Sequence, residues 1–141
     1  MYKRQVLVGL HIKKNGKLPS NESLSEVVES CKNKNWLGVI LACVSPEIIE
    51  NSADEMKKLN LPFGYKANLW KTEEPVPVHN FASPNDKIGA NPVETMGTRD
   101  EYTAKKFLEF SKKMKNKGAT IFGGCCETKP AHINKIAVLK S

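Results

Sequence analysis

The chain has 141 residues, 40% of them apolar and 26% charged, with 9 Gly and 8 Pro, a balance that fits one soluble α/β domain and excludes collagen-like, low-complexity and wholly disordered chains. No stretch approaches the ~18 consecutive apolar residues of a membrane span, and Met1-Tyr2-Lys3-Arg4-Gln5 lacks the apolar core of a secretory signal, so the chain reads as cytoplasmic. The net charge of +7 raises a nucleic-acid partner, but every basic residue except Arg4 and Arg99 is a lysine, and the lysines are scattered over polar helix faces. Neither the guanidinium forks that read phosphates and bases nor a basic stripe is present, so no nucleic-acid partner is expected.

In chain order, Gln5 to Leu10 is a short β-branched run that suits a buried strand. After a loop with Asn15-Gly16 and Pro19, Ser20 or Asn21 caps a predicted helix through about Ser30, with Leu24, Val27, Val28 and Cys31 on one apolar face and Cys31 as a core thiol. Trp36 to Ala42 is a second buried strand that ends at Cys43. Ser45 as cap and Pro46 at the first helical position then open a second helix carrying Ile48, Ile49, Ala53, Met56 and Leu59, which Asn60 and Pro62 stop. Phe63 to Leu69 makes a third strand. From Trp70 to Gly97 the chain is rich in proline and without periodicity, too long for an ordinary connection, and reads as an active-site loop or lid. A third helix is expected from near Thr98 to Lys117, with Tyr102, Phe107, Leu108 and Met114 inward and Gly118 ending it. Ala119 to Phe122 is a fourth strand running into Gly123-Gly124-Cys125-Cys126, and Pro130 to Leu139 a fourth helix.

Strand and helix alternate four times, which implies parallel strands joined by right-handed crossovers. Two architectures fit: an open four-stranded doubly wound sheet, or half of a (β/α)8 barrel, which takes about 250 residues in full. Strands this apolar are expected to be covered on both faces, so an isolated half-barrel would leave two unpaired edges and an exposed core.

Cys43 and the Cys125-Cys126 pair each fall just past the C-terminal end of a predicted strand, where α/β folds place their chemistry. Three thiolates brought together suit a soft or borderline metal, and zinc with three protein ligands and one open position is the catalytic arrangement. Against this, vicinal cysteines are often small hydrophobes at a strand end, and spacing alone does not join Cys43 to the distant pair. No CxxC or HExxH pattern is present. A nucleophilic cysteine with His11 or His79 as base is the competing chemistry, without a local signature. His11, His79 and His132 each read first as satisfied surface or outer-shell histidines. Gly123-Gly124 lacks the context of a phosphate cradle.

The run IFGGCCETKPAHINKI resembles the zinc-binding GGCCG-T-x-P-x-H-I segment of the homocysteine S-methyltransferase family. GVILACVSPEII is similar to that family's G-(I/V)-N-C-x-x-P-E segment, and PFGYKAN to its following strand. The resemblance implies a (β/α)8 barrel of which this chain supplies the C-terminal half, the last four βα units. It implies Cys43, Cys125 and Cys126 as zinc ligands at the ends of strands six and eight, and Asn68 near the substrate. The implied activity moves a methyl group from S-methylmethionine, S-adenosylmethionine or betaine to the zinc-bound thiolate of homocysteine, forming methionine. The implied partners are thus homocysteine and a small methyl donor. Glu127 departs from the family's usual Gly, and Ile40-Leu41-Ala42 from its usual Asn before the first cysteine. The family's first barrel half has no counterpart here. Met1 to Gln5 is what ATG-TAT-AAG-AGA-CAG encodes, similar to a sequencing-library adaptor. Residues 1–5 are therefore expected to be a non-native scar, and 6–141 a partial, truncated homocysteine-binding barrel domain. The alternative from the residues themselves is a non-catalytic zinc- or soft-metal-binding thiol protein.

Overall fold

The computed structural model describes residues 6–31, 35–71, 93 and 96–140. The expected scar at 1–5, and the lid with His79 over most of 70–97, lie outside the described residues. Among the described residues four strands, β1 (Val6–Leu10), β2 (Trp36–Val44), β3 (Phe63–Ala67) and β4 (Ile121–Gly124), alternate with the helices α1 (Leu24–Ser30), α2 (Pro46–Lys58), α3 (Ala104–Asn116) and α4 (Pro130–Ile136). A 3-10 turn, Ala137–Lys140, completes the last helix. All strand pairs are parallel, and the sheet order is β1-β2-β3-β4.

That order is consistent with part of a (β/α)8 barrel. A doubly wound sheet reverses its strand order at a switch point, whereas here space and sequence run together, as they do in part of a (β/α)8 barrel. Each crossover helix packs against the next. Val39, Leu41 and Tyr65 face this helical layer and form one core with Ile48, Ile49 and Met56 of α2 and Phe107, Phe110 and Met114 of α3. The opposite face differs from the expectation of cover on both sides: Leu7 is 41% exposed, and Gly9 and Lys66 are exposed as well. The strands read as apolar throughout because their two faces cannot be told apart from a short run.

Register between β3 and β4 depends on Gly64, where a Cβ would land on the Ile121 carbonyl. Inside the core, the Tyr65 hydroxyl donates to Ser111 Oγ (2.6 Å), and Ser111 donates onward to the Phe107 carbonyl (2.7 Å). Ser111→Ala strands a buried tyrosine hydroxyl, and it is expected to lower stability by about 1–3 kcal/mol in urea unfolding, whereas Tyr65→Phe loses less.

Several boundaries shift for identifiable reasons. α1 is capped by Ser23 rather than Ser20 or Asn21, because Ser23 and Glu26 close a reciprocal capping box. Of its apolar face only Leu24 is buried, and Cys31 is a half-buried C-cap residue rather than a core thiol. α3 starts at Thr103, whose side chain accepts from the Lys106 N–H, so Thr98 to Tyr102 is a separate ordered segment. β4 includes Gly123 and Gly124, which the glycines' low strand propensity concealed.

Candidate metal centre

The C-terminal ends of β2, β3 and β4 converge on one sulfur cluster. Between Ala42 and Val44 the β2–β3 register slips, and Cys43 is the extra residue, at φ +57°. A bulge re-aims a side chain that regular strand geometry would send elsewhere. For a non-glycine residue the left-handed conformation costs about 1–2 kcal/mol. Hydrogen bonds frame it on both sides: Asn68 Nδ2 donates to the Cys43 carbonyl (2.7 Å), and His11 Nδ1 lies 3.1 Å from the Ala42 carbonyl. Asn68 is buried, and its Oδ1 accepts from the Trp70 N–H (3.3 Å).

The cysteine pair is pinned to β3. The Cys125 N–H donates to the Ala67 carbonyl (2.7 Å), and the Leu69 N–H to the Cys126 carbonyl (3.0 Å). Thr128 Oγ1 donates to the Cys125 carbonyl (2.6 Å), which closes the turn, and the turn leaves Glu127 at φ +62°. Glu127 accepts from Thr98 Oγ1 (2.7 Å).

Cys43 Sγ and Cys126 Sγ lie 3.7 Å apart, Cys126 Sγ and Cys125 Sγ 3.8 Å, and all three within 4.8 Å of one another. A tetrahedral zinc ion with Zn–S bonds of about 2.3 Å holds its sulfurs about 3.8 Å apart, so the donor set fits a borderline-soft cation in both chemistry and spacing. Burial, reinforced by the neighbouring sulfurs, pushes the Cys43 thiol up to about 12, and burial raises Cys126 as well. Without a cation Cys43 and Cys126 stay protonated at neutral pH, and metal uptake must expel their protons. Cys31 stands apart from the cluster.

Arg99 anchors the segment before α3 to the start of α2. Its Nη1 and Nη2 donate to the two Glu47 oxygens, each at 2.8 Å, and its Nε to Glu101 (3.0 Å). Burial raises the Glu47 pKa, but the Arg99 hydrogen bonds outweigh it and leave the carboxyl below its ordinary value. A depressed folded-state pKa stabilises the fold above the ordinary carboxylate range and loses that contribution as pH falls through the folded value. The stability gap between wild type and Glu47→Gln should therefore be widest at neutral pH and close on acidification, as urea midpoints across pH would read.

His132 is buried rather than on the surface, with Nε2 donating to the Tyr102 carbonyl (2.9 Å) and Nδ1 accepting from the Lys129 N–H (2.9 Å), so both ring nitrogens are satisfied. Spacing did not reveal the bulge at Cys43, the Arg99–Glu47 pair or the Thr98–Glu127 bond. The capping box at Ser23 was open to reading, since Ser-x-x-Glu is its signature.

Fold and cluster together define a parallel α/β chain with a three-thiol, metal-competent centre at its strand ends. The chain matches the homocysteine S-methyltransferase family over residues 2–139 and belongs to it. Homocysteine S-methyltransferase 3 of Arabidopsis thaliana is 27% identical over 128 residues, 88% of this chain and 32% of the relative. Homocysteine S-methyltransferase 1 of the same plant is 29% identical over 128 residues, 86% of this chain and 33% of the relative. The chain thus spans about a third of the length of these relatives. No helix among the described residues is long and apolar enough to cross a membrane.

Proposed function

We propose that the chain carries the zinc-thiolate centre of a homocysteine S-methyltransferase, as the last four βα units of a (β/α)8 barrel, with Cys43, Cys125 and Cys126 as ligands. The observation that carries this is the meeting of three sulfurs, from β2 and from beyond β4, at zinc-compatible separations in a chain of this family. When bound, zinc would hold a substrate thiol as thiolate at neutral pH, where a free thiol with a pKa near ~8.5 is mostly protonated.

The chain's own contribution is placement. Cys43 and the pair present an anionic donor set that favours an electron-rich sulfur, suited to attack on a methyl carbon rather than to polarising a carbonyl. The acceptor in this reading is homocysteine and the donor a small molecule with an activated methyl group: S-methylmethionine, S-adenosylmethionine or betaine. The products are methionine and the demethylated donor.

The test is metal content followed by thiol binding. The chain is expected to take up about one zinc, and the cobalt-substituted protein to gain sulfur-to-metal charge-transfer intensity on adding homocysteine but not homoserine. A folded chain that takes up no metal overturns the reading. Metal uptake without any response to homocysteine favours the non-catalytic thiol protein instead.

A further inference from the structure

We propose that His11 and Asn68 are positioning residues that together set the backbone angles of Cys43 and so aim its sulfur at Cys125 and Cys126; this rests on the metal reading above. The two peptide planes that meet at the Cys43 α-carbon end in the carbonyls of Ala42 and Cys43. His11, from just beyond β1, lies with Nδ1 3.1 Å from the first, and Asn68, from just beyond β3, donates to the second at 2.7 Å. One post stands on each strand flanking β2. A left-handed cysteine persists only where its surroundings over-determine it, and these bonds fix both torsions on either side of that residue.

Chemistry restricts the roles. A carbonyl oxygen accepts only, so His11 must carry its proton on Nδ1. Asn68 must present its NH2 to Cys43, because its oxygen already serves the Trp70 N–H. Asn68 therefore bridges β2 to the backbone leading out of β3, and its neighbouring residue, Leu69, donates to the Cys126 carbonyl. Both halves of the sulfur cluster are thus referenced to the end of β3.

The experiment measures Zn2+ affinity of the full chain by chelator competition, with Co2+ absorption and far-UV circular dichroism beside it. His11→Ala and Asn68→Ala are each expected to weaken Zn2+ binding about ten- to a hundredfold, the usual effect of losing an outer-shell partner, and to lower the sulfur-to-cobalt charge-transfer intensity. His11→Asn keeps a donor near the Nδ1 position and should return the affinity to the wild-type value. Asn68→Asp keeps the acceptor for Trp70 but turns an acceptor toward the Cys43 carbonyl, and it should fail to do so. This size-matched pair decides the matter even where an alanine variant does not fold. Wild-type affinity and an unchanged cobalt spectrum in Asn68→Asp, or no recovery in a folded His11→Asn, would overturn the positioning role alone. A wild-type chain that binds no metal would overturn the metal reading and this inference with it.

Discussion

Cys126→Ser is expected to abolish metal uptake, taking the chain from about one zinc per molecule to none and weakening affinity by about a hundredfold or more. Cys126 is the sensitive member because its sulfur lies within 3.8 Å of both others, so it shares an edge of the donor set with each. Cys31→Ser is the matched control, since that thiol sits at the far end of α1 and outside the cluster. Equilibrium dialysis with elemental analysis reads both. The affinity should also fall as pH is lowered, because buried thiols with raised pKa values must surrender protons to the solvent on binding. A Cys126→Ser chain that retained one equivalent would remove the sulfurs from the proposed site.

The second large effect lies in the sheet. Gly64→Ala places a methyl group against the Ile121 backbone carbonyl, a group that cannot rotate aside, and β3 and β4 must separate. The expected cost is about 3 kcal/mol or more, a large share of the stability of a chain this size. Because β4 leads directly into the cysteine pair and β2 carries Cys43, the same separation should weaken metal binding in whatever fraction remains folded. Gly123→Ala is the control on the neighbouring strand: its added methyl meets nothing closer than the Tyr65 carbonyl at 3.4 Å. Urea unfolding of the two variants should differ clearly, and equal midpoints would show that the sheet adjusts at Gly64.

How much of this could be read from the amino acids follows the range of the forces involved. The strands at Val6, Trp36 and Phe63 and the helix opened by Ser45 and Pro46 were legible, since apolar periodicity and caps act over a few residues. The placement of Cys125-Cys126 just past β4 was legible too, whereas Cys43, expected just past its strand, lies inside β2 as the bulge before Val44. Their meeting was implied only by the family resemblance and not by spacing, because contact between them depends on the sheet order and on the bulge at Cys43, neither of which leaves a local pattern. The third helix began later than expected because the residues from Thr98 to Tyr102 answer to partners far along the chain: Glu127 for Thr98, Glu47 for Arg99, His132 for Tyr102. Asn68 was singled out only through a resemblance that placed it near the substrate. The structure gives it hydrogen bonds to the Cys43 carbonyl and the Trp70 amide.

Lys66 is the fourth of the five residues of β3, on the sheet face turned away from the helices, its side chain exposed beside Gly123. Two such sheets approaching face to face would have to bring like ammonium groups together or strip them of water, and the net charge of +7 adds a general repulsion at low ionic strength. Salt shortens that repulsion to roughly 8 Å under physiological conditions. The colloidal behaviour of the protein should accordingly be salt-dependent: dispersed in dilute buffer, and prone to reversible clustering as ionic strength rises and the exposed Leu7 of β1, on the same sheet face, comes within reach of another copy.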